Sequence, residues 1–386
     1  MARRGHGEGS IYQRRDGRWT GFIPLEGGKR KFFYGKTRRD VQQQLRQALV
    51  DQHQGTLVTG PRQTVAEYLK RWLEDTVKHS VRPRTFESYS LNVRRLEPHI
   101  GKLTLSSLSP EAVQKTYGAL LEAGLAPRSV EQAHTVLHRA MRLAVQWRLI
   151  GRNPTEAVTV PRPKHDEMHT LTHEQVQMLF VSSVDDRFHA LWVLLATTGL
   201  RMGEATGLRW EDVDLQHRRL LVRRALQRQR GVGLVMVEPK SERSRRTVHL
   251  ASGTVTALRE HRHRQLEERL QAGPLWSDQD LVFCNLMGTP VDPARINEAL
   301  HRALKRAGLP RIRVHDLRHT AATLLLGRGV HPKMVADLLG HSTIVLTLNT
   351  YSHVIPALHA EVAAHMDTLF TDTEPKRSSQ GLRESN

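Results

Sequence analysis

Between residues 151 and 172 the chain reads "GRNPTEAVTVPRPKHDEMHTLT", with three prolines and no periodic hydrophobic pattern. Proline lacks an amide hydrogen, so it breaks a helix interior and is excluded from the centre of a sheet. The stretch is expected to be a linker, residues 151–171, and what lies on either side of it must fold on separate cores. At 386 residues the chain has room for two or three such cores.

The segment before the linker divides again. Residues 1–58 predict a small β-plus-helix module. "SIYQRRDGRWTGFIPL" carries an Asp16-Gly17 hairpin signal between β-forming runs, "EGGK" marks a second turn and "KRKFFYG" a third strand. Thr37 and Asp40 read as a capping box before a helix. The strands alternate Tyr12, Trp19, Phe22 and Phe33 with Arg and Lys, a pattern that gives a short sheet one basic face able to enter a DNA groove. Residues 63–150 predict an all-helical domain. Val65, Tyr68, Leu69, Trp72 and Leu73 share one helical face behind a Thr64/Glu67 capping box. A second helix starts at Thr85, a third at Ser109-Pro110, and a fourth fills "RSVEQAHTVLHRAMRLAVQWRLI". Arginines at 82, 84, 94, 95, 128, 139 and 142 are left for exposed faces, some of them toward phosphate. Thr172 and Gln175 cap the first helix of the last domain, 172–370, which mixes helices with strand candidates "RRLLVRRAL", "LVMVEP" and "RRTVHL". The polar tail 371–386 is expected to be disordered. The fold class is thus multidomain and mainly α, with a small N-terminal β-plus-helix module and an α+β C-terminal domain.

Charge narrows the partner. A formal +19 and a pI near 10.7 call for a polyanion. Nucleic acid suits better than a membrane, because no amphipathic basic helix with an aromatic face stands out and no apolar run is long enough to span. A single cysteine, Cys284, excludes an intrachain disulfide and fits a reducing cytoplasm. The first ten residues lack the apolar stretch of a secretion signal.

The last domain collects polar residues that core packing explains poorly. "TGLRMGEATG" places Arg201 and Glu204 at i and i+3 behind an apolar run, Leu191 to Leu195. "EPKSERSRRTVHL" places Lys240 in a turn between strand candidates, beside Ser241, Arg243 and Ser244, which could serve in its stead. "VHDLRHTAAT" sets His315 and Arg318 one turn apart on a helix, with Asp316 and His319 alongside. "LLGHST" places His341 after a helix-ending glycine, and Tyr351 follows ten residues later. Singly, each is an ordinary solvated charge, cap or buried tyrosine. Together they suit metal-free transfer of a phosphodiester. Guanidinium forks match phosphate oxygens, a histidine can take a proton, a lysine can give one, and a tyrosine can hold the phosphoryl group. The 22 histidines include no HExxH or Cys/His ligand spacing, and Arg318 would oppose a cation near His315 and His319, so neither a metal nor a cofactor is expected.

The order "TGLRMGE … PKSERSRRTVHL … HDLRHTAAT … LLGHS … TYSH" closely resembles the tyrosine recombinases, the lambda-integrase-like family, over about residues 172–370. The helical domain and β module before it resemble the three-domain integrases of phages and integrative elements. The resemblance implies an arm-type DNA-binding module, a SAM-like core-binding domain and a catalytic domain. Arg201 and Arg318 would clamp the scissile phosphate, His315 would act as acid/base, and His341 would hydrogen-bond the phosphate or leaving group. Lys240, on a β-hairpin loop, would protonate the departing 5′ oxygen, Glu204 would support the site, and Tyr351 would attack to give a 3′-phosphotyrosyl link. It also implies double-stranded DNA attachment sites as substrate, a homotetramer on two duplexes, and a host DNA-bending or excision factor. The segment "PALHAEVAAHMDTLF" carries Leu358, Val362, Met366 and Leu369 at helical spacing, and would dock on a neighbouring protomer or on its own domain. A type IB topoisomerase, a chromosome dimer resolvase and a DNA-binding regulator are the competing functions.

Overall fold

A computed structural model of the chain describes residues 10–25, 28–53, 57, 62–163, 169–238, 245–341 and 343–351. The terminal segment 356–370 and the tail 371–386 lie outside them. The chain divides into two compact units, residues 1–165 and 166–386.

In the first unit β1 (Ser10–Gln13), β2 (Trp19–Pro24) and β3 (Arg30–Gly35) form an antiparallel meander. Reciprocal hydrogen bonds between Thr37 and Asp40 open α1 (Arg38–His53), which lays Val41, Leu45 and Ala48 against Ile23. The two-residue period of the strands then sorts the aromatics. Trp19 and Phe33 turn toward α1, whereas Tyr12, Phe22, Phe32 and Tyr34 occupy the open face. That face is therefore more aromatic than basic, contrary to the alternation read from sequence. Arg30 lies over the Phe22 ring at 4.6 Å, while Lys31 turns the other way, over Phe33.

A second core in this unit is helical. The Thr64/Glu67 capping box opens α2 (Val65–Arg71), which continues through a wider π-helical stretch (Trp72–Val77) into α3 (Lys78–Ser80). Then come α4 (Pro83–Ile100), α5 (Pro110–Glu122) and α6 (Pro127–Gln146), with proline at the first turn of each, where its missing amide hydrogen costs nothing. The α4 helix consequently starts two residues earlier than Thr85. Tyr68, Trp72, Leu96, Tyr117, Leu137 and Met141 fill the interior, and the Tyr68 hydroxyl donates to the Ala140 carbonyl at 2.6 Å. The start of the stretch read as linker is packed as well. Asn153, Pro154 and Thr155 are buried, and His138 Nδ1 lies 2.9 Å from the Thr155 hydroxyl.

The second unit is built around α8 (His189–Thr198), buried on nearly all sides, as its continuous apolar run requires. Around it lie α7 (His173–Ser182), α9 (Met202–Thr206), α10 (Ser252–Ala272), α11 (Pro293–Arg306), α12 (Val314–Leu326), α13 (Pro332–Leu339) and α14 (Ile344–Tyr351). Strands β4 (Val213–Asp214), β5 (Arg219–Val222) and β8 (Arg246–His249) form one antiparallel sheet, and β6 (Ala225–Gln229) pairs with β7 (Gly233–Val237) in another. The expected strand "RRLLVRRAL" thus breaks at Arg223-Arg224, because its two halves find partners in different sheets. No helix among the described residues is long and apolar enough to cross a membrane.

Candidate active site

Two helix ends and one helix start meet on one side of the second unit. α8 ends at Gly199 and α13 at Gly340, both in the left-handed region, with φ of 63° and 66°. The left-handed turn ends each helix and swings the chain back, the usual reason for glycine there. Neither position has room for a side chain. A Cβ on Gly199 would lie 2.5 Å from Leu339, and one on Gly340 would lie 2.9 Å from the Arg246 guanidinium.

The freed Gly199 carbonyl accepts from Arg318 Nη1 at 2.7 Å. Arg318 is 2% exposed, on the second turn of α12. Burial of a guanidinium at this depth requires fixed acceptors, and the helix end supplies one. Arg201, directly after the α8 turn, caps α9. Its amide donates to Glu204 Oε2 at 3.0 Å and its Nη1 to Glu204 Oε1 at 2.8 Å. Glu204 is itself buried, and its Oε2 also accepts from Arg246 Nη2 at 2.9 Å. Burial alone would raise the Glu204 pKa. The Arg246 hydrogen bond and charge, followed by Arg201, outweigh it and hold the carboxyl below its ordinary value.

His315 opens α12 at the solvent-facing edge of the group, its ring 4.9 Å edge-on from His319. Protein packed around the ring, then the charges of His319 and Arg318, push its pKa down to about 4. His341 follows Gly340, its amide donating to the Ala336 carbonyl at 2.9 Å. Burial, then Arg318 and Arg201, likewise bring it to about 4. Both imidazoles are therefore neutral at pH 7. Arg201 and Arg318 thus act electrostatically on His315 and His341, and Arg201 on Glu204, although these residues are spread from position 201 to position 341 of the sequence.

Asp316 acts on His315 and His319 through its charge, which opposes the lowering of both pKa values, but its hydrogen bonds go elsewhere. It caps its own helix, accepting from the Arg313 amide at 2.8 Å and from the Arg313 side chain. Lys240 lies outside the described residues. Among the described residues the strands on either side of it, β7 and β8, pair in different sheets and not with each other as the expected hairpin requires. Tyr351 is the last described residue of α14.

Two residues that the motifs did not single out belong to the group. Arg246 is 8% exposed and bridges Glu204 to the Leu338 carbonyl, which its Nε reaches at 2.7 Å. Its signal in the sequence is phase: Arg246 precedes Val248 and Leu250 at the strand period, so it points inward. The second is Thr347, fully buried, whose hydroxyl lies 2.8 Å from His341 Nδ1. It stands four residues before Tyr351, one turn back along α14.

Residues 164–357 match the phage integrase family, and residues 64–121 match the phage integrase N-terminal SAM-like domain. A tyrosine recombinase XerC-like protein of Caldanaerobacter subterraneus subsp. tengcongensis is 30% identical over 366 residues, 89% of this chain and 94% of that protein. An integrase of Saccharopolyspora erythraea is 28% identical, over 95% of this chain and 98% of its own length. The Tn1549 transposon integrase, solved in complex with transposon right end DNA, superposes with a TM-score of 0.69 at 25% identity, over 80% of this chain and all of that one. A lambda integrase dimer bound to a COC' core site shares the fold at a TM-score of 0.55 and 15% identity, over 91% and 96% of the two chains.

Proposed function

The chain belongs to the phage integrase family of tyrosine recombinases, and we propose that its described site clamps one scissile phosphate in duplex DNA. The enzyme is a site-specific DNA recombinase, cutting and rejoining strands through a 3′-phosphotyrosyl intermediate. The observation that carries the assignment of roles is the convergence of Arg201 and Arg318 with two neutral histidines, beside the helix that bears Tyr351.

In this reading Arg201 and Arg318 bind the two non-bridging oxygens, each from a guanidinium already fixed by a protein acceptor. Such preorganised donors are worth about 3 to 4 kcal/mol each as charge builds on phosphorus. The Tyr351 oxygen attacks phosphorus and loses its proton, while the bond to the 5′ oxygen breaks. His315 is neutral before DNA arrives and can accept that proton. A bound phosphate offsets the arginine charge and moves both imidazole pKa values up, toward the range where a histidine can also return a proton. Lys240 delivers the proton that the departing 5′ oxygen needs, and His341 donates to the phosphate. The link to tyrosine keeps the phosphodiester energy, so the reverse attack by a 5′ hydroxyl reseals DNA without ATP.

The three segments take three roles: residues 1–58 bind arm-type sites, 63–150 grip the core site, and 172–370 carry the chemistry. The open aromatic face with Arg30 is the DNA-facing side of the first. Attachment sites on two duplexes, a homotetramer, integration or excision of a mobile element, a bending or excision factor and a cytoplasmic, nucleoid location complete the proposal.

A nicked duplex spanning one end of the element that carries this reading frame tests it. The wild-type chain should become covalently attached, and Tyr351→Phe should bind the same duplex but never trap it. Covalent trapping by the Phe variant would remove Tyr351 from its role. Relaxation of any supercoiled plasmid by monomers, without paired sites, would point to a topoisomerase instead.

A further inference from the structure

We propose that Arg246 is the positioning residue that locks two phosphate-binding groups of the site, acting on Arg201 through Glu204 and on His341 through the end of α13. The inference rests on the site assignment above and goes beyond it, since Arg246 touches none of the reacting atoms.

Three contacts define the role. Arg246 Nη2 donates to Glu204 Oε2 at 2.9 Å, the same oxygen that receives the Arg201 amide at 3.0 Å. Its Nε donates to the Leu338 carbonyl at 2.7 Å, two residues before Gly340 and three before His341. Its guanidinium fills the space over Gly340, which a Cβ would enter at 2.9 Å. One planar group therefore fixes the start of α9 and the end of α13. It projects from β8, the strand that follows the segment bearing Lys240. A guanidinium suits this task because its fork reaches two acceptors at fixed angles, which a lysine ammonium does not.

Electrostatics give the role a signature. The charged groups facing Glu204 are Arg246 from β8 and Arg201 from its own helix. Among the described residues, β6 meets α9 with the backbone of Ala225 and Leu226, and the last two turns of α8 are uncharged. Without Arg246, the burial of Glu204 loses its strongest opponent and Arg201 is left as the next, so the carboxyl takes up a proton at higher pH. A protonated Glu204 holds Arg201 less firmly, so cleavage falls as pH falls.

The test is single-turnover formation of the phosphotyrosyl complex on the nicked duplex, with binding followed separately by mobility shift, from pH 5 to pH 8. Arg246→Met should lower the rate about 100-fold, the scale of a small misplacement of a catalytic group, with binding held within about threefold. It should also add an acid limb, and the double variant Arg246→Met, Glu204→Gln should lose that limb. Arg246→Lys, which keeps the charge and loses the fork, should fall between and keep the wild-type pH profile. Should Arg246→Met fail to fold, the Lys variant decides. Wild-type rates in either soluble variant, or a rate loss in Arg246→Met with no acid limb, would overturn the proposal. Absence of covalent complex with the wild-type chain would instead count against the site assignment.

Discussion

At the scale of single residues, His341 is held from behind. When the Thr347 hydroxyl donates to Nδ1, 2.8 Å away, Nε2 carries the hydrogen that a phosphate oxygen can accept. Thr347→Val keeps the shape of this buried side chain and removes its hydrogen bond. The expected result is a phosphotyrosyl rate about tenfold lower, the equivalent of roughly 1.4 kcal/mol, with DNA binding unchanged and recovery in Thr347→Ser. Equal loss in the Val and Ser variants would mean that packing, and not the hydrogen bond, is what matters. Residue identity made Arg201, His315, Arg318, His341 and Tyr351 visible as candidates, because cations and imidazoles behind apolar runs fit no core. Thr347 carried no such mark, since a threonine in a helix is ordinary until its partner is known.

At the scale of elements, local rules read well. The capping pairs Thr37/Asp40, Thr64/Glu67 and Thr172/Gln175 all form, because each depends on four consecutive residues and little else. Strand partners read less well. "RRLLVRRAL" has one continuous β pattern, yet β5 pairs with β8 and β6 with β7, a choice made by distant segments. His261 on α10 shows another non-local bond. Its Nε2 meets the Val282 carbonyl at 2.7 Å, and its Nδ1 has no hydrogen-bond partner among the described residues. Burial pushes its pKa down to about 4. The folded chain keeps this imidazole neutral, while the unfolded chain protonates it below about pH 6.5. The unfolded state then binds more protons, so stability falls as pH drops from about 6.5 to about 4 and levels off below. The lowered pKa corresponds to about 3 kcal/mol at full protonation. In denaturant titrations across that window, His261→Gln should show a shallower decline than wild type. An unchanged slope would remove His261 from the acid response.

At the scale of the whole molecule, charge dominates. A formal +19 over 386 residues predicts DNA binding governed by release of counterions. With on the order of eight phosphates neutralised, affinity should fall by about 10³- to 10⁵-fold between 50 and 200 mM salt. Fluorescence anisotropy on a duplex should show this, and a flat response would exclude phosphate contacts as the main source of affinity. Composition, periodicity and motif order were enough to place the chain among multidomain, mainly α recombinases. These signals are local or additive, so they survive without coordinates. The sequence could not say that Glu204 answers to Arg246, 42 positions away, or that the Gly199 carbonyl seats Arg318. Those are pairings between segments remote in the chain, and only the packing of the folded units selects them.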